Sequence, residues 1–545
     1  MDILAAGGNA VDAAVAAALV GCVVNVTKCG IGGYGGHMVI ASPKGLWEGG
    51  RQDSITAIDF NTTAPAAARP DMFPLDKNGN VKGNVNARGW LAVSVPGTLA
   101  GLQLALDRYG TLPFSRAVQP AIAYARNGFP FLYSEPFEEE EASDRNRPGN
   151  AAFVRLFSRN GKPLKKGDIH RNPDLADMLE QLADNDSADA FYRGEIGQRI
   201  AQAFQKNGGL VTAEDMASYQ AREVTPLVLD WRGYQIATAP LTSGGLTILQ
   251  TIAALKAMGW PDHLFNSKGS PDDKEVPPSA SRSIVTQAWI EALRIAWGDR
   301  LELFGDPAYV EVPVERLLSE RYAKRSADRV KVALEQGRPV SVAGDGQSAD
   351  GTLHVSAVDA TGMMVALTLT LGEKFGAQVA VDGVGLVLGH GMSRFDPVPG
   401  RPNSIAPGKR PLHNMCPTIV VRDGHPVLAI GAIGSRRIPN AILQVLLGFI
   451  AEGHNLEESV TRPRLHTEGG MKLYAEPGAP EADLNHLKQV GYEIESMPPS
   501  FVYTVERPAS NSLTSAPAVG VADHLADNEA QITGRDPKPI VTCAP

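Results

Sequence analysis

The 545-residue chain is poor in several features that define specialised classes of protein. Its only cysteines are Cys22, Cys29, Cys416 and Cys543. They form no CxxC pair, which excludes a disulfide framework and a cysteine-based metal site. No uninterrupted apolar run reaches the ~18–20 residues of a membrane span. Basic residues do not predominate, because 51 Lys and Arg stand against 60 Asp and Glu, for a net charge of −9. This balance argues against a nucleic-acid partner.

The common catalytic and nucleotide-binding motifs are absent or wrongly placed. There is no GxxxxGK[ST], HExxH or GxSxG sequence. Gly30, Gly32 and Gly35 match the GxGxxG dinucleotide fingerprint in letters. That fingerprint needs a strand before it and a helix after it, whereas the sequence predicts a helix before and a strand after. We therefore interpret the glycines as a tight loop and expect neither a cofactor nor a metal.

Helical and strand-like segments are present without a regular βαβ alternation. Residues 2–19 are rich in Ala and Val and predict a helix, and residues 37–41 predict a strand. Residues 352–359 and 363–371 predict two strands of a hairpin, with a further strand at 379–388. This pattern predicts an α+β fold in which helices flank antiparallel strands.

One junction in the chain has the arrangement of a self-processing hydrolase. A polar Gly/Ser/Asp-rich stretch, residues 336–351, ends at Gly351, and the predicted strand begins at Thr352. A Thr hydroxyl at such a site can attack the preceding carbonyl, and the freed residue then carries nucleophile and base together. An α-amine with a pKa of ~7.7–8.0 is suited to act as that base near neutral pH. Taken alone, the pattern also fits an ordinary loop ending.

The chain as a whole resembles the γ-glutamyltranspeptidase family, and the resemblance extends over nearly all of it in order. The matching phrases are residues 7–15, 32–36, 95–98, 109–113, 207–210, 231–234, 243–245, 352–359, 407–412, 417–420 and 463–466. The resemblance implies a four-layer αββα sandwich of the N-terminal-nucleophile hydrolase type. It also implies self-cleavage between Gly351 and Thr352, and acyl transfer from an amide through an acyl-Thr352 intermediate.

The same resemblance assigns the parts of the molecule. Residues 1–351 would form the large subunit and residues 352–545 the small subunit of a heterodimer that together makes one αββα unit. Thr370 would support the nucleophile, and Gly434 with Ser435 would supply the oxyanion hole through backbone N–H groups. The substrate would be a small-molecule amide, with water or an amine as the acceptor.

Family members begin with a strand, and often a secretion signal, before the helix at residues 2–19. We therefore expect the first strand to be missing from the chain as given. Its location is then unknown: the chain as given slightly favours the cytoplasm, and a signal upstream of Met1 would place it in the periplasm or outside the cell.

The donor pocket departs from the family at five positions. Asn61 stands where the family has an Arg for the donor α-carboxylate, and Arg394 stands where it has an acidic residue for the donor α-amine. Gly372 replaces an Asn, and His413 with Asn414 replaces a Ser–Ser pair. Asn cannot make the bidentate, charge-assisted contacts of an Arg. Arg394 either binds an acidic group of the substrate or forms a surface salt bridge, for example to Asp396.

Three hypotheses follow. The favoured one is an active N-terminal-Thr amidohydrolase whose acyl group is not γ-glutamyl, and Arg394 would suit an acidic acyl group. The second is a true γ-glutamyltransferase or glutathione hydrolase with a rearranged pocket. The third is a non-catalytic relative, which would remain uncleaved.

Overall fold

The computed structural model describes residues 2–43, 54–131, 150–262, 278–342, 351–507, 519–522, 531–533 and 540–543. The last eight residues of the polar stretch before Gly351 lie outside this part of the chain. The helices that are described are α1 (Asp2–Ala5), α2 (Ala10–Val24), α3 (Thr98–Tyr109), α4 (Phe114–Ala117), α5 (Gln119–Asn127), α6 (Ala151–Leu156), α7 (Pro173–Asp184), α8 (Asp189–Arg193), α9 (Glu195–Asn207), α10 (Ala213–Ser218), α11 (Gly245–Met258), α12 (Pro278–Leu303), α13 (Val314–Leu317), α14 (Glu320–Gln336), α15 (Arg437–Leu447), α16 (Leu456–Thr461) and α17 (Glu481–Val490).

Two antiparallel sheets form the centre of the molecule. Their strands, in chain order, are β1 (Gly35–Ala41), β2 (Ile55–Asp59), β3 (Arg222–Val224), β4 (Leu227–Trp231), β5 (Tyr234–Thr238), β6 (Leu353–Val358), β7 (Met364–Thr370), β8 (Thr418–Arg422), β9 (His425–Ile433), β10 (Phe501–Glu506), β11 (Val519–Ala522), β12 (Gln531–Thr533) and β13 (Ile540–Cys543). The first sheet has the order β13-β6-β7-β1-β2-β3, and the second has the order β12-β11-β10-β9-β8-β5-β4. Three shorter strands, Leu465–Thr467, Lys472–Ala475 and Glu493–Ser496, form a small separate sheet.

The side chains of the two sheets alternate between two apolar layers, as the period of a strand requires. On β1, Met38 packs with the helical layer that contains α2 and α3, whereas Val39 packs between the sheets. On β9, Ala429 packs between the sheets and Ile430 packs with the layer of α11, α12 and α15. The order is therefore helices, sheet, sheet, helices, which confirms the expected α+β sandwich.

Most predicted elements are present, with two differences. The helix predicted at residues 2–19 is broken at Gly7–Gly8, where Asn9 caps the start of α2 by accepting hydrogen bonds from two backbone N–H groups. The strand predicted at 379–388 is wrong: two-residue strands, Ala380–Val381 and Leu386–Val387, form a hairpin instead. The glycine loop follows α2 and precedes β1, the reverse of a dinucleotide site, as expected.

Candidate active site

The predicted scissile peptide lies between two threonine hydroxyls. Strands β6 and β7 pair with Leu353 opposite Leu369, so Thr352 and Thr370 are neighbours at the same end of the first sheet. The Gly351 carbonyl oxygen accepts a hydrogen bond of 2.6 Å from Thr352 Oγ1 and another from Thr370 Oγ1. The Gly372 N–H donates to Thr370 Oγ1 at 2.8 Å, which leaves the Thr370 proton for the carbonyl. Two donors on one carbonyl oxygen make its carbon more electrophilic.

Gly351 fits closely against the turn that follows β7. A Cβ atom at this position would lie 1.9 Å from the carbonyl oxygen of Gly372 and 2.9 Å from its carbonyl carbon. Both neighbours are backbone atoms, which cannot rotate away as a side chain would. The residue before Thr352 must therefore be glycine for the carbonyl to take this position.

Tyr34, which the sequence analysis did not single out, lies beside Thr370. It is the residue between the glycines of the loop that precedes β1, and it is 4% exposed. Burial raises the pKa of the Tyr34 phenol, while Arg394 and a hydrogen bond with Thr370 oppose that rise. The phenol is therefore protonated at neutral pH and available as a donor next to the hydroxyl that contacts the scissile carbonyl. A lone aromatic within a glycine cluster is the only sequence signal for it.

Arg394 ends a short 3-10 turn, Gly391–Arg394, at the edge of this group. Its charge lowers the pKa values of Tyr34, His390 and His413, so the three lie within its electrostatic reach. No carboxylate of the described residues forms an ion pair with it. The pairing with Asp396 considered from the sequence is wrong, since Asp396 binds Arg401 at 3.0 Å. Arg394 is a partly exposed cation within electrostatic reach of Tyr34, and it forms no ion pair with the described carboxylates.

Asn61, His413 and Asn414 come together in a second group around Thr242. The side-chain nitrogen of Asn61 donates to Thr242 Oγ1 at 2.6 Å and to the Pro411 carbonyl at 2.7 Å. The backbone N–H of His413 donates to the Thr242 carbonyl at 3.1 Å. Asn414 Oδ1 accepts from the buried Arg300 at 3.1 Å. The structure thus brings together the residues that we expect to replace the family's carboxylate site, with Asn61 fully buried among its partners.

Two buried imidazoles face each other in this second group. The rings of His37 and His413 are 4.7 Å apart between centroids, and none of their nitrogens makes a hydrogen bond to the described residues. Burial is the main reason that the pKa of His37 is lowered to about 4; Asp59, 3.3 Å from His37 Nε2, opposes the shift, and Arg410 and Arg222 contribute to it. Burial, with His37, Arg300 and Arg394, holds the pKa of His413 well below its ordinary range. Both rings are neutral at pH 7, so they offer no charge to a substrate carboxylate.

Gly434 and Ser435 connect β9 of the second sheet to α15. Both have positive φ angles, 115° and 55°, and the value for Ser435 is one that residues other than glycine seldom adopt. Ser435 Oγ is buried without a hydrogen-bond partner in the described chain. Strand β9 contacts β6 at Gly431, where a Cβ would lie 2.1 Å from the His354 ring. His354 is two residues after Thr352, and Gly434 is three residues after Gly431. This contact therefore places the turn at Gly434 and Ser435 at the end of the sheets where Thr352 lies.

Comparisons with known proteins identify the family to which this arrangement belongs. The model of the family described as gamma-glutamyltranspeptidase matches residues 1–532. The chain belongs to the γ-glutamyltranspeptidase family. It is 39% identical over 481 residues to a glutathione hydrolase proenzyme of Escherichia coli (strain K12), covering 86% of this chain and 78% of that protein. It is 35% identical over 506 residues to an acylase ACY 1 proenzyme of Pseudomonas sp. (strain SE83), covering 91% and 85%.

The family relationship makes the chain an enzyme, an amidohydrolase of the N-terminal-nucleophile type. The solved structures agree on the fold. The crystal structure of cephalosporin acylase from Bacillus halodurans superposes with a TM-score of 0.78 and 24% identity, covering 98% of this chain and 92% of that one.

No helix in the described parts is long and apolar enough to cross a membrane. Nor do the described His, Cys, Asp and Glu residues form a group of three suited to a metal ion.

Proposed function

We propose that the chain cleaves itself between Gly351 and Thr352 and then acts as an N-terminal-Thr amidohydrolase or acyltransferase on amides with an acidic, non-γ-glutamyl acyl group. The observation that carries the substrate proposal is Arg394, a cation that forms no ion pair with a described carboxylate and lies within electrostatic reach of Tyr34, which contacts Thr370. Residues 1–351 and 352–545 would be the two subunits.

Cleavage would proceed by an acyl shift at the described hydrogen bonds. The Thr352 oxygen bonds to the Gly351 carbonyl carbon, the C–N bond breaks, and the hydroxyl proton passes to the departing α-amine. Thr370, with Tyr34 behind it, would stabilise the negative charge on the Gly351 oxygen. Water then hydrolyses the ester, giving a carboxylate at Gly351 and a free N-terminal Thr352.

Turnover would use the same oxygen on an external amide. The freed α-amine takes the Thr352 hydroxyl proton, the oxygen bonds to the donor carbonyl carbon, and the amine of the donor leaves with that proton. The backbone N–H groups at Gly434 and Ser435 would hold the oxyanion. Water, or an amine acceptor, then releases the acyl group from Thr352.

The charges of the donor site disfavour a γ-glutamyl group. Its α-carboxylate would meet the neutral Asn61 and His413, and its α-ammonium would face the like charge of Arg394. The absence of one charge-assisted hydrogen bond weakens binding by about 1.5–3 kcal/mol. A glutaryl group, which is γ-glutamyl without the amine, removes the repulsion and offers its carboxylate to Arg394.

A true γ-glutamyltransferase is the second candidate. It is supported by the 39% identity to the glutathione hydrolase proenzyme of Escherichia coli. In that case Arg394 would turn away from the donor and tolerate its ammonium group.

The test compares kcat/KM for γ-glutamyl, glutaryl and uncharged pentanoyl anilides. We expect the wild type to prefer the glutaryl donor over both others by at least about tenfold, which is the ratio of kcat/KM that one charge-assisted hydrogen bond would give. Arg394→Gln should remove the preference, whereas Arg422→Gln, a control at an exposed arginine at the end of β8, should retain it. Asn61→Arg, which would restore the family's arginine, is not suitable as a test because Asn61 is fully buried and leaves no space for the larger side chain. Efficient γ-glutamyl turnover by the wild type would favour the second candidate.

A further inference from the structure

The His390 ring fills the space that a side chain at Gly372 would need, although 18 positions separate the two residues in the chain. A Cβ at position 372 would lie 2.1 Å from His390 Nε2 and 2.5 Å from its Cε1. The imidazole is fully buried. It therefore stands where any side chain at position 372 would have to be.

The backbone of His390 cannot move aside, because the glycines on both sides of it are packed against the loop of Tyr34. A Cβ at Gly391 would lie 1.9 Å from Ser94 Oγ and 3.0 Å from the Tyr34 Cβ. A Cβ at Gly389 would lie 2.9 Å from the Tyr34 nitrogen. The backbone at position 390 is thus fixed by close packing on the glycine loop.

The hydrogen bonds of His390 define its tautomer. The backbone N–H of Glu373 donates to Nε2, so Nε2 is the acceptor and the proton of the neutral ring is on Nδ1. Nδ1 then donates to Ser393 Oγ at 2.5 Å. Burial, reinforced by Arg394, holds the pKa of His390 well below its ordinary range, so this arrangement persists at neutral pH.

Ser393 connects the imidazole to Arg394. Its Oγ donates to the His390 carbonyl at 3.0 Å and accepts from Arg394 Nε at 3.3 Å. The carbonyl of Arg394 accepts from Asn403 Nδ2 at 2.7 Å, which holds the backbone of the residue. With Nε engaged, the two terminal nitrogens of the guanidinium are the ones left to face a donor.

We propose that His390 is a positioning and specificity-determining residue: it fills the space above Gly372 and, through Ser393, orients Arg394 toward an acidic acyl group. This inference rests on the proposed function for the ligand that Arg394 binds. The imidazole adds a steric reason for glycine at 372 to the positive φ angle of 104° at that position, and the same imidazole orients the arginine at 394. An amide-bearing residue at position 372 is incompatible with His390 in place.

The contact between positions 372 and 390 is tested by a double-mutant cycle. Gly372→Ala should lower kcat/KM for the glutaryl anilide by at least about tenfold, because the methyl group displaces the imidazole. His390→Ala combined with Gly372→Ala should lose about as much as either single variant and not the product of the two losses, so the two effects should be strongly non-additive. Additive losses would overturn the steric part of the inference. The fraction of cleaved chain and the thermal midpoint of each variant separate this result from misfolding.

The orienting role is tested by selectivity. Ser393→Ala and His390→Ala should each lower the ratio of glutaryl to pentanoyl kcat/KM by about tenfold, mainly through KM of the glutaryl donor. His390→Gln, whose amide can accept from Glu373 and donate toward Ser393, should recover part of the ratio. Arg422→Gln should not change it.

The two proposals fail differently. A wild type with no preference for the glutaryl donor overturns the proposed function, and with it the orientation of Arg394. A wild type that has the preference, with Ser393→Ala and His390→Ala variants that keep it, overturns only the role of His390.

Discussion

Replacing Gly351 by alanine should block maturation while leaving the mature catalyst unchanged. The added methyl group would lie 1.9 Å from the Gly372 carbonyl oxygen, whereas such contacts in proteins are 3.0 Å or longer. Relief requires a shift of about 1 Å in the Gly351 backbone or in the Gly372 turn, which is tied to Thr370 through the Gly372 N–H. A misplacement of this size costs on the order of 100-fold in rate when it moves a reacting carbonyl away from its nucleophile.

The assay follows conversion of the 545-residue chain to fragments of 351 and 194 residues on a denaturing gel, with N-terminal sequencing of the smaller one. We expect cleavage of Gly351→Ala to be about 100-fold slower than that of the wild type, with a similar thermal midpoint. Gly400→Ala is the matched control, since a Cβ there has no neighbour within 4 Å. The part of the variant that does cleave should show wild-type specific activity. Cleavage of Gly351→Ala at the wild-type rate would refute the packing argument.

Three further predictions concern the nucleophile, its neighbour and the buried histidines. Thr352→Ala should remain a single chain without activity, and Thr352→Ser should retain some of both functions; normal cleavage of the alanine variant would contradict the assignment of the nucleophile. Tyr34→Phe should slow cleavage about fivefold, the effect of losing one hydrogen bond, without lowering the thermal midpoint. An unchanged rate would show that Tyr34 takes no part in cleavage. Because the pKa values of His37 and His170 are lowered to about 4, the unfolded chain binds protons between pH 6.5 and 4 that the native chain does not. Stability of the uncleaved Thr352→Ala chain should therefore fall as the pH falls through that window, by up to about 3 kcal/mol per histidine, and a urea midpoint constant from pH 7 to 4.5 would contradict this.

The fold could be predicted where local pattern and tertiary structure agree. The hairpin around residues 360–362 follows from strand patterning and turn residues, and both predicted strands are present within one or two residues as β6 and β7. The strand expected at 379–388 failed because its two glycines, Gly383 and Gly385, have positive φ angles and turn the chain back on itself. Apolar composition alone does not distinguish one buried strand from two halves of a hairpin.

The site was only partly predictable, for a physical reason. Thr352 could be named because it begins the matching phrase at residues 352–359, and Thr370 and Arg394 because the resemblance aligns them with positions of known role in the family. The contacts of Tyr34 and His390 join residues that are far apart in the chain, and no local sequence pattern predicts that an imidazole packs against Gly372. The choice of partner for Arg394 likewise depended on Arg401, whose side chain reaches Asp396 first.

Both central sheets are composed of strands from the two sides of the Gly351–Thr352 bond. In the first sheet β1 pairs with β7, and in the second β5 pairs with β8. Cleavage at that bond would therefore leave two polypeptides, each lacking the partner for a long apolar strand edge. Unfolding the mature protein would then release two separate chains. Their reassembly would be bimolecular and would depend on their concentration, whereas the uncleaved chain folds intramolecularly. We expect the cleaved enzyme to be preserved by slow unfolding, with heat inactivation irreversible, whereas the uncleaved precursor keeps the covalent connection through which the sheets first form.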